Sequence, residues 1–192
     1  MEKRPACHVK RQTRETDVHL TLGGAAAELA LPVPIFRHLL GAAVATWGLP
    51  LDLSATGDID VDPHHLIEDV GIVLGQALAS YLPGYRGVER YGFALVPMDD
   101  ALAEVALDLS GRPGAYLANM PAGAVGGVDG EVFAEFFQGF SRGALCTLHI
   151  ALRAGANRHH AWEASFKAFG LALRQATLPR PGLMLSTKGV IT

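Results

Sequence analysis

The sequence His-His-x-x-Glu occurs twice in this chain, as His64-His65-Leu66-Ile67-Glu68 and as His159-His160-Ala161-Trp162-Glu163, half a chain length apart. Neutral imidazole is the commonest side-chain metal ligand, and carboxylate is its usual companion in a catalytic site. Each copy opens a stretch of helical periodicity: Leu66, Val70, Val73, Ala77 and Tyr81 in one, Trp162, Phe166, Phe169 and Leu173 in the other. Asp62-Pro63 puts a side-chain cap and a proline at the first helical position before the first copy, and Asn157 can cap the second. Helix positions four apart share a face, so His64 stacks with Glu68 and His159 with Glu163. Adjacent histidines point about 100° apart around the axis and are poorly placed to chelate one ion together. The geometry asks for two metals, with neighbouring histidines serving different ones. One such motif alone reads as a solvated helix start; two in matched contexts point to metal binding.

The chain carries eight histidines, enough to build such sites: His8, His19, His38, His64, His65, His149, His159 and His160. His149 lies in the alternating strand Thr147-Leu148-His149-Ile150, which by itself predicts a buried, hydrogen-bonded core histidine. Ten residues before His159, it becomes a third kind of ligand. The positioning elements follow from periodicity and breakers. Strands are expected at 9–14, 18–22, 51–61, 90–96, 103–109 and 145–153, and helices at 35–47, 63–82, 131–143 and 159–176. Residues 111–130 read as loop-rich, with 115–117 able to pair as a strand. Helix, strand and then a His-His-x-x-Glu helix occur in both halves. An internally duplicated α+β fold of two fused repeats, about 1–90 and 91–192, is the simplest account.

Composition narrows the function classes. With 49% apolar residues, 192 positions suffice for a sizeable core, and no uncharged stretch is long enough to span a membrane. The start, Met1-Glu2-Lys3-Arg4-Pro5, has no apolar run after it and is not a secretory signal. Two distant cysteines, Cys7 and Cys146, form no redox or metal motif, and the expected location is the cytoplasm. A net charge of −3 argues against nucleic acid as a partner. A mean hydropathy of +0.23 hints at apolar surface hidden in subunit contacts.

These residues resemble the imidazoleglycerol-phosphate dehydratase family of histidine biosynthesis, nearly from end to end. Arg11-Gln12-Thr13-Arg14-Glu15-Thr16 resembles its opening R-x-T-x-E-T, and Gly57-Asp58 through Asp62-Pro63-His64-His65-x-x-Glu68-Asp69 its first metal motif. Arg90-Tyr91-Gly92, Pro97-Met98-Asp99-Asp100-Ala101-Leu102 and Asp108-Leu109-Ser110-Gly111-Arg112-Pro113 follow in the family's order. Asn157-Arg158-His159-His160-x-x-Glu163, Phe166-Lys167 and Ser186-Thr187-Lys188-Gly189 complete it.

The resemblance implies two similar halves, each a four-stranded sheet backed by helices, and a homo-oligomer of 24 subunits with metal sites between them. It implies two manganese ions per subunit, although the imidazole-rich set would equally suit zinc, iron or nickel. One ion would take His38, His65, His159 and Glu163, and the other His64, Glu68, His149 and His160. Four protein ligands leave an octahedral ion two open positions, as catalysis requires. The implied reaction dehydrates D-erythro-imidazole glycerol phosphate to imidazole acetol phosphate. With no carbonyl to stabilise a carbanion, the substrate's own imidazole, held as an anion by metal, pushes out the hydroxyl. Glu15 is the expected proton shuttle, with Glu68 and Glu163 as the other catalytic carboxylates. Arg90, Arg112, Lys167, Ser186, Thr187 and Lys188 are the expected phosphate pocket.

The first helix departs from the family pattern. Phe36-Arg37-His38-Leu39-Leu40 stands for F-D-H-M-L, Ala42 or Ala43 for a glutamine, and Thr46-Trp47 for a second histidine that touches substrate. Leu66 replaces a threonine. Two other readings accompany the first: a related dimetal lyase acting on another phosphorylated small molecule, and a catalytically weakened, metal-loaded assembly protein.

Overall fold

Alternation and helical periodicity lay out the chain in the order β1 (Cys7–Gln12), β2 (Thr16–Leu22), β3 (Leu29–Ala30), α1 (Pro34–Trp47), β4 (Leu51–Gly57) and α2 (His64–Tyr81). There follow β5 (Tyr91–Met98), β6 (Ala101–Asp108), β7 (Gly114–Ala118), β8 (Ala124–Val125), β9 (Val128–Asp129), α3 (Gly130–Ala144), β10 (Thr147–Ala154) and α4 (Arg158–Ala176). The structure is a computed structural model that describes residues 4–25 and 27–180. Along β2, Val18, Leu20 and Leu22 point inward while His19 is exposed; along β6, Ala101, Ala103, Val105 and Leu107 are buried. This is the period-2 pattern of sheets with one covered face.

The two four-stranded sheets are ordered β1-β2-β4-β3 and β5-β6-β10-β7. In each, an antiparallel hairpin comes first, its second strand pairs antiparallel with the last strand, and the third strand runs parallel to the last. Strand order and direction therefore repeat between them, giving the α+β fold expected. Helices α2 and α4 lie on the sheets formed by their own halves, while α1 packs on α4 and α2 on α3. The core thus forms where helices of the two halves meet. Phe36, Phe133, Phe136, Phe137, Phe140, Phe166 and Phe169 are fully buried there, with Phe136 and Phe166 stacked at 5.3 Å between centroids.

Helices α2 and α3 approach through glycine. A Cβ on Gly71 would lie 2.2 Å from the Phe136 carbonyl oxygen, one on Gly75 2.3 Å from that of Phe140, and one on Gly143 2.2 Å from that of Ile72. Backbone is the obstacle in each case, so the helices themselves would have to move. Gly75→Ala is therefore expected to lower stability by ~1–3 kcal/mol through overpacking, despite alanine's better helix propensity. The midpoint of a denaturant titration reads this directly, and an unchanged or raised midpoint would contradict the packing.

Several boundaries differ from the sequence reading. The strand expected over 51–61 stops at Gly57, because the Asp58 carbonyl accepts the N–H groups of Val61 and Asp62 in a turn. The strand expected from 145 starts at Thr147, because Leu145 caps α3 in the left-handed region at φ 52°. The two-residue strand β3 and the β8–β9 hairpin, which turns at Gly126 and Gly127 with φ of 57° and 85°, carry too few residues for periodicity to show. No helix among the described residues is long and apolar enough to cross a membrane.

Candidate active site

Both His-His-x-x-Glu motifs sit on the first turn of a helix, held there by side-chain caps. Asn157 Oδ1 accepts the N–H groups of His159 and His160 at 2.9 and 3.3 Å. Asp62 Oδ1 accepts that of His64 at 2.7 Å, with Pro63 at the cap position itself, one place earlier than expected. The rings of each pair diverge, with planes 80° apart for His64 and His65 and 88° for His159 and His160. Each histidine consequently joins a different group.

The first group gathers His38 from α1 with His159 and Glu163 from α4, their ligand atoms all within 4.8 Å of one another. Glu163 Oε2 lies 3.3 Å from His38 Nε2 and 3.2 Å from His159 Nε2, while Oε1 accepts from Lys167 Nζ at 2.7 Å. Burial opposes ionisation of Glu163. Hydrogen bonds from Lys167 and His38, with their charges, outweigh that and hold its carboxyl below the usual range. The result is an anionic oxygen facing two imidazole nitrogens, a donor set that fits a divalent transition-metal ion.

The second group joins Glu15, Asp58 and His65. His65 Nδ1 lies 3.1 Å from Asp58 Oδ2 and 3.8 Å from Glu15 Oε2. The Asp58 hydrogen bond raises the imidazole pKa above its ordinary value; burial opposes this and the Glu15 charge adds to it. The motif around Glu15 is a frame. Arg11 Nε and Thr16 Oγ1 donate to the two oxygens of buried Asp69 on α2, at 2.7 and 2.5 Å. Thr13 Oγ1 accepts the N–H groups of Glu15 and Thr16. The turn between β1 and β2 is thereby pinned to the helix that carries His65, with the Glu15 side chain projecting beside that ring.

The remaining histidines are spread out. His64 Nε2 is 4.0 Å from Glu68 Oε2, whose Oε1 accepts from Arg142 at the end of α3. His160 Nδ1 pairs with Asp100 Oδ1 at 2.7 Å; that contact and the N–H groups of Ala156 and Asn157 hold the Asp100 carboxyl far below the usual range. His149 is exposed rather than in the core, stacked on Tyr116 at 4.7 Å. Neither expected set of four closes within one chain: His65 is apart from His38, His159 and Glu163, and His64, Glu68, His149 and His160 form no single group among the described residues.

Among the described residues, the expected basic ones also do not gather within one chain. Arg90 is buried and makes a two-point ion pair with Asp108, at 2.7 and 3.1 Å. Arg112 Nη1 donates to the Ser110 carbonyl just beyond that end of β6. Lys167 instead lies against Met98, at the far end of the eight-residue strand β5, roughly 24 Å away along the strand. Ser186, Thr187 and Lys188 lie outside the described residues. The departures in α1 serve packing. Thr46 Oγ1 donates to the Lys167 carbonyl and Trp47 Nε1 to Thr177 Oγ1, locking α1 onto α4 about 14 Å along the helix from His38. Arg37 Nη1 donates to the Leu31 carbonyl.

The profile of the imidazoleglycerol-phosphate dehydratase family matches residues 32–173. The chain belongs to this family. Over its full length it is 45% identical to the imidazoleglycerol-phosphate dehydratase of Alcanivorax borkumensis, of which it covers 97%. It is 47% identical to that of Desulfitobacterium hafniense, of which it covers 100%. The crystal structure of the Pyrococcus furiosus IGPD is similar to it with a TM-score of 0.87 at 40% identity, over 95% of this chain and 99% of that one. That of the Staphylococcus aureus enzyme gives 0.82 at 33% identity, over 91% and 99%. The IGPD fold is thus this chain's fold.

Sequence reasoning missed the carboxylates that orient these rings. Asp58 and Asp100 each sit on Nδ1 of the second histidine of a pair. Carboxylate on the far nitrogen of an imidazole fixes its tautomer and raises its basicity as a ligand. Both aspartates stand in quoted motifs, and that was the available signal.

Proposed function

We propose that this chain catalyses the dehydration of D-erythro-imidazole glycerol phosphate to imidazole acetol phosphate, a step of histidine biosynthesis, as a carbon–oxygen hydro-lyase. The observation that carries the reading is full-length similarity to enzymes of that name, 45% identity over the entire chain in one case. The altered α1 residues Thr46 and Trp47 bind α1 to α4.

The donor groups fit two manganese ions per subunit. His38, His159 and Glu163 would hold one with His65, and His64 and Glu68 the other with His149 and His160. When bound, such ions supply the positive charge that lowers the cost of an anionic imidazole ring and orients it. The chain's own groups do the rest. Glu15, on its pinned turn, takes the proton from the substrate carbon. The neighbouring carbon loses its hydroxyl as water, and the enol that forms settles to the ketone of the product. Lys167 and Arg112 carry positive charge suited to the phosphate, with Ser186, Thr187 and Lys188 as further candidates. Arg90, held by Asp108 through Nε and Nη2, is a further candidate of this set.

Ligand sets that stay open in one chain support sites shared between copies in a large homo-oligomer, in the 24-subunit form the resemblance implies. The outer face of the second sheet fits such a contact: Tyr91, Phe93, Leu95 and Tyr116 are each about half exposed, and His149 sits in their row. Chelation is expected to shift the particle to a smaller species in light scattering; an unchanged mass in metal-free protein would contradict shared sites. The proposed location is the cytoplasm.

The metal should also reverse one pH dependence. Metal-free, the raised His65 pKa adds stability that is full below the unfolded imidazole value near 6.5 and lost as pH rises through the folded value. An ion on His65 needs the neutral ring and binds better as pH rises. The gain in melting temperature on adding manganese is therefore expected to grow between about pH 6 and pH 8. A gain independent of pH would remove His65 from the ligands. For the function itself, the chain is expected to restore growth without histidine to a bacterial host lacking its own dehydratase, and Glu15→Gln is expected not to. Failure of the wild-type chain, when expressed and folded, would refute the assignment.

A further inference from the structure

Each motif glutamate divides its two oxygens. Glu163 gives Oε1 to Lys167 at 2.7 Å and turns Oε2 toward His159 and His38. Glu68 repeats the division, with Oε1 on Arg142 and Oε2 facing His64. The two cations have different origins. Lys167 follows Glu163 by one helical turn on α4, whereas the residue one turn after Glu68 is the uncharged Ile72. The repeat cannot supply a second cation from the same place, and α3 supplies it from 74 residues away. The glycine contacts that bring α2 and α3 together, Gly139 against the Glu68 carbonyl among them, put Arg142 within reach.

We propose that Arg142 is a positioning residue for Glu68: it holds one carboxylate oxygen so that the other is presented to the ion shared with His64. This rests on the reading of Glu68 as a metal ligand. A partly exposed glutamate otherwise spreads over several rotamers, and fixing it removes an entropic cost of ligation. Arg142 also repels a nearby cation, but its side chain is 50% exposed and solvent screens that repulsion. Hydrogen-bond partners of metal ligands typically contribute 10–100-fold in affinity. Orientation is the larger effect, and loss of Arg142 weakens binding.

The test is calorimetric titration of the full-length protein with manganese, for wild type, Arg142→Gln, Glu68→Gln and the double variant. Arg142→Gln is expected to bind one ion as wild type does and the other about 10–100-fold more weakly. In the Glu68→Gln background the same change is expected to add nothing, since Arg142 acts through Glu68. The metal-free melting temperature is expected to stay near wild type, because exposed ion pairs contribute little. Two ions bound by Arg142→Gln with unchanged or tighter affinity, equal weakening of both ions, or additive effects in the double variant would each overturn the proposal. A wild-type chain that takes up no manganese would overturn the metal reading, and this inference with it.

Discussion

Glu15→Gln protein is expected to lose turnover by ~10²–10⁴ while its manganese content stays at the wild-type level. The magnitude is that of a general acid–base group, and the unchanged metal follows from the way its turn is built. Arg11 and Thr16 bind Asp69, and Thr13 binds the backbone of Glu15, so every anchor of the turn survives the substitution. Only the proton-carrying oxygen changes. There is a sharp alternative, because Glu15 shares a 4.8 Å group with Asp58 and His65 that could itself hold an ion. Metal lost together with activity would make Glu15 a ligand, and full turnover would remove it from the mechanism.

His159→Ala is expected to reduce manganese from two ions per chain to one and to lower turnover by more than the ~10–100-fold typical of losing a partner beyond the ligands themselves. In this protein Glu163 would keep Lys167 and His38 but lose the nitrogen 3.2 Å from its ligating oxygen. Because Trp162, Ala164 and Phe166 anchor this turn in the core, the helix itself should persist. Elemental analysis of gel-filtered protein, beside its circular dichroism, checks both halves. Two ions retained at wild-type affinity would contradict the ligand assignment.

How far the sequence carries depends on how local each cause is. Asn157 and Asp62 cap helices whose apolar spacing runs on for four turns, so both motif helices are legible to within a residue or two. The pairing of His64 with Glu68 and of His159 with Glu163 follows from helix geometry alone. Their partners do not. Asp100 reaches His160 across 60 residues, Arg142 reaches Glu68 across 74, and His38 reaches Glu163 across 125. Those contacts are set by sheet order and by the α1–α4 and α2–α3 packing, which no local window contains. The surroundings of His149 are a different case. An apolar residue on each side predicts burial when the opposite face of the sheet is covered, but here that face is open and carries Tyr116. The ion pair of Arg90 with Asp108 on the neighbouring strand is likewise set by strand pairing and not by any local window.

The central claim is the reaction, and one assay addresses it without intermediaries. Purified chain, stripped with chelator and reloaded with manganese, is incubated with D-erythro-imidazole glycerol phosphate, and the products are followed by proton NMR. The expected result is conversion to imidazole acetol phosphate with loss of one water, absent in the stripped protein and restored by the metal. Folded, manganese-loaded protein that leaves the substrate unchanged would contradict it.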